Sequence, residues 1–171
     1  MAAHFHFRSA TRSDLPMLQR WRETPEVLPW WGAWQHSEAE FQEHLDQPAM
    51  KLWIVSVDGL PFAFVQDYAC HAWEDHPFAY LPPGSRGMDL YIGEPSLLDR
   101  GHGTALLRQH CAKLFAAGVP AIGADPNPDN FRARSAFRKA GFEEVSGPVD
   151  TRWGRAILME RWPTDSLPDA G

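Results

Sequence analysis

Apolar and polar residues alternate along His4-Phe5-His6-Phe7-Arg8, the pattern of a strand with one buried face. The period then changes. Leu15, Met17, Leu18 and Trp21 recur at helical spacing behind an N-cap at Ser13-Asp14, with Pro16 tolerated in the first turn. An aromatic, proline-rich connector follows from Thr24 to Gln35. Ser37-Glu38-Ala39-Glu40 reads as a capping box for a second helix through Phe41, Leu45 and Asp46, which Pro48 stops. Leu52–Val57 and Phe62–Tyr68 are β-rich runs joined by Asp58-Gly59, a hairpin signal. Cys70 to Arg86 shows no period. Met88–Gly93 is a further strand, His102–Ala117 a helix ending at Gly118, and Val119–Ala124 a strand. Asn130–Ala140 is a helix capped by Gly141, and Phe142–Val145 and Ala156–Arg161 are closing strands.

The order β-α-α-β-β-β-α-β-α-β-β places hairpin strands first and a βαβ-type crossover after them. It predicts an α/β (α+β) fold with a mixed central sheet and helices on both faces. No repeat or change of composition divides the chain. One domain over 1–171 is expected, with its core at about 4–162 and a frayed tail over 163–171.

Composition narrows the chemistry. The chain has 171 residues, 44% of them hydrophobic and 22% charged, enough for one ordinary core. A net charge of −6 without a Lys/Arg cluster argues against nucleic acid and suits a cationic ligand. No run has the length of a membrane span or a signal peptide, so the expected location is the cytoplasm and no membrane partner is expected. Cys70 and Cys111 match no redox or metal spacing, and His71, His76 and His102 form no ligand pattern, so no metal is expected. There are eight tryptophans. Trp30-Trp31, bracketed by Pro29 and Gly32, either lines a concave site or fills a core. The loop Trp73-Glu74-Asp75-His76 either covers a cationic ring or is a solvated loop.

Two motifs carry the functional argument. Gly101-His102-Gly103-Thr104 opens a helix directly after a strand and a connector. Helix-start amides there can hold a phosphate, and glycine leaves room for its close approach. Asp125-Pro126-Asn127-Pro128-Asp129-Asn130 leads into a second helix that ends at Ala140-Gly141-Phe142. In this order the two suggest a cofactor-dependent enzyme.

These residues resemble the GNAT superfamily of acyl-CoA N-acyltransferases. The family's Gln/Arg-x-x-Gly-x-Gly/Ala motif aligns with Leu98-Asp99-Arg100-Gly101-His102-Gly103, with Leu98 where glutamine or arginine is usual. The Asn-x-x-Ala-x-x-x-Tyr motif aligns with Asn130 to Phe137, with Phe137 where the tyrosine is usual. Gly87–Pro95, Lys139-Ala140-Gly141-Phe142, Trp30-Trp31-Gly32 and Gln66-x-Tyr68 are similar to the aminoglycoside 6′-N-acetyltransferase branch. The resemblance spans roughly residues 5 to 160.

The resemblance implies acetyl-CoA as co-substrate and a cationic small-molecule amine, most closely an aminoglycoside 6′-amine, as acceptor. The strand Leu90, Tyr91, Ile92 would pair with the pantetheine arm, and amides of Arg100, Gly101, His102, Gly103, Thr104 and Ala105 would take the pyrophosphate. Asn130, Ala133 and Phe137 would complete the cofactor side. Asn130 either caps its helix or bonds the arm. Asp89 would be the catalytic carboxylate, accepting a proton or orienting the amine; otherwise it is a solvated carboxylate or a partner of Arg86. Asp125, Trp30, Trp31, Tyr68, Trp73, Glu74 and Asp75 would face the acceptor, with a helix-capping role as the alternative for Asp125. With Phe137 in place of tyrosine, Tyr68, Tyr80 or Tyr91 is left as a candidate acid for the departing thiolate. Acylation of a hydroxylated lysine in siderophore assembly is the competing activity, and a non-catalytic acyl-CoA sensor the competing class. Monomer and homodimer both stay open.

Overall fold

The computed structural model describes residues 3–164, so residues 165–171, most of the expected frayed tail, lie outside it. Seven strands form one sheet in the order β1-β2-β3-β4-β5-β7-β6. They are β1 (Phe5–Ser9), β2 (Met50–Val57), β3 (Leu60–Ala69), β4 (Arg86–Ile92), β5 (Ile122–Ala124), β6 (Glu143–Thr151) and β7 (Gly154–Arg161). The helices are α1 (Leu15–Arg22), the single turn α2 (Leu28–Trp31), α3 (Trp34–Asp46), α4 (His102–Ala116) and α5 (Phe131–Lys139). All pairs are antiparallel except β4 with β5, which are parallel as the crossover through α4 requires.

Strand alternation divides the interior in two. Val55, Val65, Met88 and Ile122 face α4 and α5, where they meet Leu106, Leu107, Cys111 and Phe137. Ile54, Phe64 and Tyr91 point the other way, onto Trp21 of α1 and Phe41 of α3. Asp89, between Met88 and Leu90, therefore belongs to the α1–α3 face, whereas Arg86 points to the α4 face. There the Arg86 Nε donates to Asp67, which also accepts from Trp53 Nε1 at 2.9 Å and is bonded to His110 Nε2 at 2.8 Å. Asp89 and Arg86 are thus not partners.

Several sequence boundaries move, each for a local reason. The α3 helix starts at Trp34, so Ser37 is interior rather than a cap; it is buried and its hydroxyl donates back to the Ala33 carbonyl at 3.2 Å. The Trp30-Trp31 connector closes one helical turn and ends at Gly32 with φ 79°. Strand β5 is reduced to Ile122–Ala124, and β6 runs on to Thr151 through cross-strand pairing with β7 that its polar sequence does not announce.

The feature that creates the site is the brevity of the β4–β5 pairing. Only Arg86 with Ile122 and Gly87 with Gly123 are in register, after which the strands diverge. Asp125-Pro126 leads the chain away from β4, and proline has no N–H with which to continue a ladder.

Candidate active site

A cleft of ≈ 350 Å³ opens where β4 and β5 part. Its floor carries two carboxyls, Asp89 from the middle of β4 and Asp125 from the first position past β5. Gln66, the cross-strand partner of Asp89, donates Nε2 to Oδ2 at 3.0 Å and fixes its orientation. Burial raises the pKa of both acids. The charge and hydrogen bond of Asp89 raise Asp125 further, while the hydrogen bond from Asp125 and the one from Gln66 hold Asp89 down. The two carboxyls therefore titrate as a pair above the ordinary carboxylate range, with Asp125 raised further than Asp89.

Tyr68 stands beside them. Its ring occupies the space above Gly87, where a methyl group would overlap the phenol. Burial, then Asp125 and Asp89, keep its hydroxyl protonated. Of the three candidate tyrosines, Tyr68 alone lines the cleft. Tyr91 is buried against Trp31 and accepts from Arg22 Nε at 3.3 Å, and Tyr80 donates to Glu160.

The walls are aromatic. Trp30 and Trp31 stand on one side, Trp73 and Trp153 on the other. Trp31 is held by Tyr91 at 5.0 Å and by the Arg22 guanidinium stacked over its ring at 4.5 Å. Glu40 and His44, a turn apart on α3 and 3.8 Å from each other, add a third carboxylate. Burial pushes the His76 imidazole down to about 4, so it is neutral at physiological pH, and its Nδ1 accepts from Phe78 N at 3.1 Å.

The other half of the site is backbone. Arg86 donates its N–H to Ala121 O across the β4–β5 junction at 3.1 Å. Alternation then turns the N–H groups of Leu90 and Ile92 toward the gap, where β5 no longer meets them. This unpaired edge can take an extended, amide-bearing arm. At its far end α4 begins with Gly101 at φ 78°, a left-handed residue that turns the first amides of the helix outward. The first intrahelical bond runs from Ala105 N to Gly101 O at 3.1 Å, which withdraws the expected Ala105 amide and leaves those of His102, Gly103 and Thr104 for a ligand. Arg100 is exposed beside them. Asn130 caps α5, accepting from Ala133 N at 3.2 Å, while its amide remains at the cleft with Ala133 and Phe137.

Three expected residues are placed otherwise. Tyr91 turns its side chain into the core and its backbone toward β3, so it offers nothing to the open edge. Glu74 and Asp75 are exposed and do not line the cleft; Asp75 instead pairs with Arg152 at 3.0 Å. His102, of which only the amide was expected at the site, packs its ring edge-on against Phe5 and Phe62. The acids and rings that sequence reasoning passed over are Glu40, His44 and Trp153, while His76 comes to the cleft with Trp73 from the loop expected to cover it. Glu40 could have been found from its spacing to His44 on a helix face; Trp153 had no local signal. Among the described residues no three His, Cys, Asp or Glu side chains are placed so that they could hold a metal ion.

A model of the GNAT acetyltransferase domain matches residues 10–149. The chain belongs to that family. Among its relatives is the aminoglycoside N(6′)-acetyltransferase type 1 of Klebsiella pneumoniae, 33% identical over 165 residues, 89% of this chain and 80% of that one. A kanamycin resistance protein of Rhizobium radiobacter is 40% identical over 88 residues, 51% of this chain and 77% of the other. The structure of AAC(6′)-Ib in complex with paromomycin and acetyl-CoA superposes with a TM-score of 0.84 at 30% identity, covering 97% of this chain and 99% of that one. The GNAT fold thus accounts for the forked β4–β5 pair and the glycine loop, and the protein is an acetyltransferase. No helix among the described residues is long and apolar enough to cross a membrane.

Proposed function

We propose that this acetyltransferase moves the acetyl group of acetyl-CoA to the 6′-amine of an aminoglycoside. The observation that carries the reading is the carboxyl pair Asp89–Asp125 inside an aromatic cleft, next to a strand edge with free amides. A cationic amine is drawn to the pair, and Asp89 takes its proton so that the nitrogen lone pair can attack. The Leu90 N–H faces the gap where charge develops on the carbonyl oxygen. Asp125, with Glu40 farther up the wall, binds additional ammonium groups of the same acceptor. As the C–N bond forms, the C–S bond of acetyl-CoA breaks, and coenzyme A leaves as a thiolate that takes up the second proton lost from the nitrogen. The α4 amides take the pyrophosphate of acetyl-CoA and the Leu90–Ile92 edge its arm. Relatives named for N(6′)-acetylation and for kanamycin resistance support this choice of acceptor.

Thiol release from acetyl-CoA is expected to depend on an acceptor such as kanamycin or ribostamycin, with one acetyl group added at the 6′ position by mass spectrometry. Tight acetyl-CoA binding without turnover on any amine would instead identify a sensor. Turnover on hydroxylysine alone would identify the siderophore activity.

The glycine loop has its own test. A Cβ at Gly103 meets only Ile92 Cδ1 at 3.7 Å and Ala136 Cβ at 4.0 Å, both ordinary contacts. Gly103→Ala therefore keeps or slightly raises the melting temperature, since alanine favours a helix. The family motif admits alanine at this position, so KM for acetyl-CoA stays within about twofold. A KM raised about tenfold would show instead that the pyrophosphate needs the space the methyl group takes.

A further inference from the structure

The geometry points to Trp153 as a residue that determines acceptor specificity, a rigid platform for a second ring of a polycyclic amine. This rests on the acetyl-transfer reading above. Trp153 sits at the tip of the β6–β7 hairpin, far in sequence from either motif of the site, yet it lines the cleft while remaining 48% exposed.

Its position is fixed from several directions. The ring meets Trp73 edge-on at 6.4 Å and His76 at 5.1 Å. The Arg152 guanidinium lies 5.0 Å from its centroid and is bonded to Asp75 at 3.0 Å, which ties the hairpin to the 70–85 loop. Thr151 Oγ1 accepts from Trp153 N at 3.1 Å and donates to Gly154 O at 2.7 Å, locking the turn. An exposed indole on so many supports has already lost the freedom that binding would cost it.

The charges agree with the placement. Asp89 and Asp125 are on the floor, whereas the Trp153 wall carries aromatic rings, the neutral His76 and, on the side of the indole held by Arg152, a guanidinium already paired with Asp75. An acceptor whose reacting amine lies on the floor projects its remaining rings toward the mouth. There the indole face that Arg152 leaves open offers an apolar platform to ring C–H groups. A single-ring amine fills the floor and does not reach it.

The test compares kanamycin with 6-amino-6-deoxyglucose, a single ring carrying the same kind of amine. In Trp153→Ala, KM and the calorimetric Kd for kanamycin rise about tenfold, the size of one lost aromatic contact. KM for the single-ring amine, KM for acetyl-CoA and kcat for both acceptors stay within about twofold. Trp153→Phe restores most of the kanamycin affinity. Asp75→Ala, which unties the hairpin from outside the cleft, gives an intermediate loss confined to kanamycin. Equal losses for both acceptors, or a kanamycin KM that does not move, would overturn the role of Trp153 while leaving the acetyl-transfer reading intact. A wild-type protein that acetylates neither amine would overturn both.

Discussion

Asp89→Ala lowers kcat on an aminoglycoside by about 10³-fold, within the range for loss of a positioned general base. The acetyl-CoA Kd does not change, because the Asp89 side chain is on the α1–α3 face and the cofactor edge is backbone. Asp89→Asn separates two contributions. It keeps the Gln66 contact in shape but cannot take a proton, so kcat falls nearly as far as in the alanine variant. If the asparagine variant retains more than a tenth of wild-type kcat, Asp89 only orients the amine. The pH profile supplies a second reading. Asp89 must be ionised to act, so kcat/KM falls as pH drops through its pKa. Burial, only partly offset by Gln66 and Asp125, raises that pKa, so the acid limb lies above the ordinary carboxylate range of about 4. Removing the hydrogen bond from Asp125 takes away one of the interactions that hold Asp89 down. In Asp125→Ala the acid limb therefore moves to higher pH, while KM rises through the lost ammonium contact. A limb that stayed near pH 4 would mean that some other group sets it.

The motifs of this site were legible because they are local. Gly101 must adopt φ 78°, and Asn130 caps its helix with its own side chain, so both are stated by short strings of sequence. The element order was legible for the same reason, since strand and helix periods differ. What escaped was set by distant partners. Ser37 and Glu40 mimic a capping box, but the aromatic connector before them folds into the helix and turns Glu40 toward the cleft. The polar run of β6 becomes a strand only because β7 pairs with it, and that pairing carries Trp153 to the acceptor mouth. Glu74 and Asp75 had the right charge, but loop geometry directs them to solvent and to Arg152. Asp67 carries no local signal of its own. Its importance depends on Trp53, Arg86 and His110 converging from β2, β4 and α4.

That convergence makes Asp67 the most sensitive position for stability. Asp67→Ala leaves the Arg86 guanidinium, the Trp53 indole N–H and His110 without their common partner in the interior, a loss of about 3–5 kcal/mol. For a domain of this size the melting temperature falls by roughly 10 °C. Urea unfolding at constant m-value would measure the loss; less than about 1 kcal/mol would show that the cluster is relaxed by solvent. The sign of its pH dependence follows from the Asp67 pKa. Burial raises it, but the hydrogen bonds from His110 and Trp53 and the charge of Arg86 outweigh burial, so the folded value lies below the ordinary 3.8. The contribution is complete above that ordinary value and disappears as pH falls through the folded one. Wild type and Asp67→Ala should therefore differ most at neutral pH and converge in acid. The same change reaches the active site. Arg86 is the first residue of β4, its N–H forms one of the few bonds that join β4 to β5, and its side chain holds that end of the strand to Asp67. Loosening the junction lets the fork open at its base, and acetyl-CoA affinity should drop in Asp67→Ala even though Asp67 lies on the far side of the sheet from Asp89.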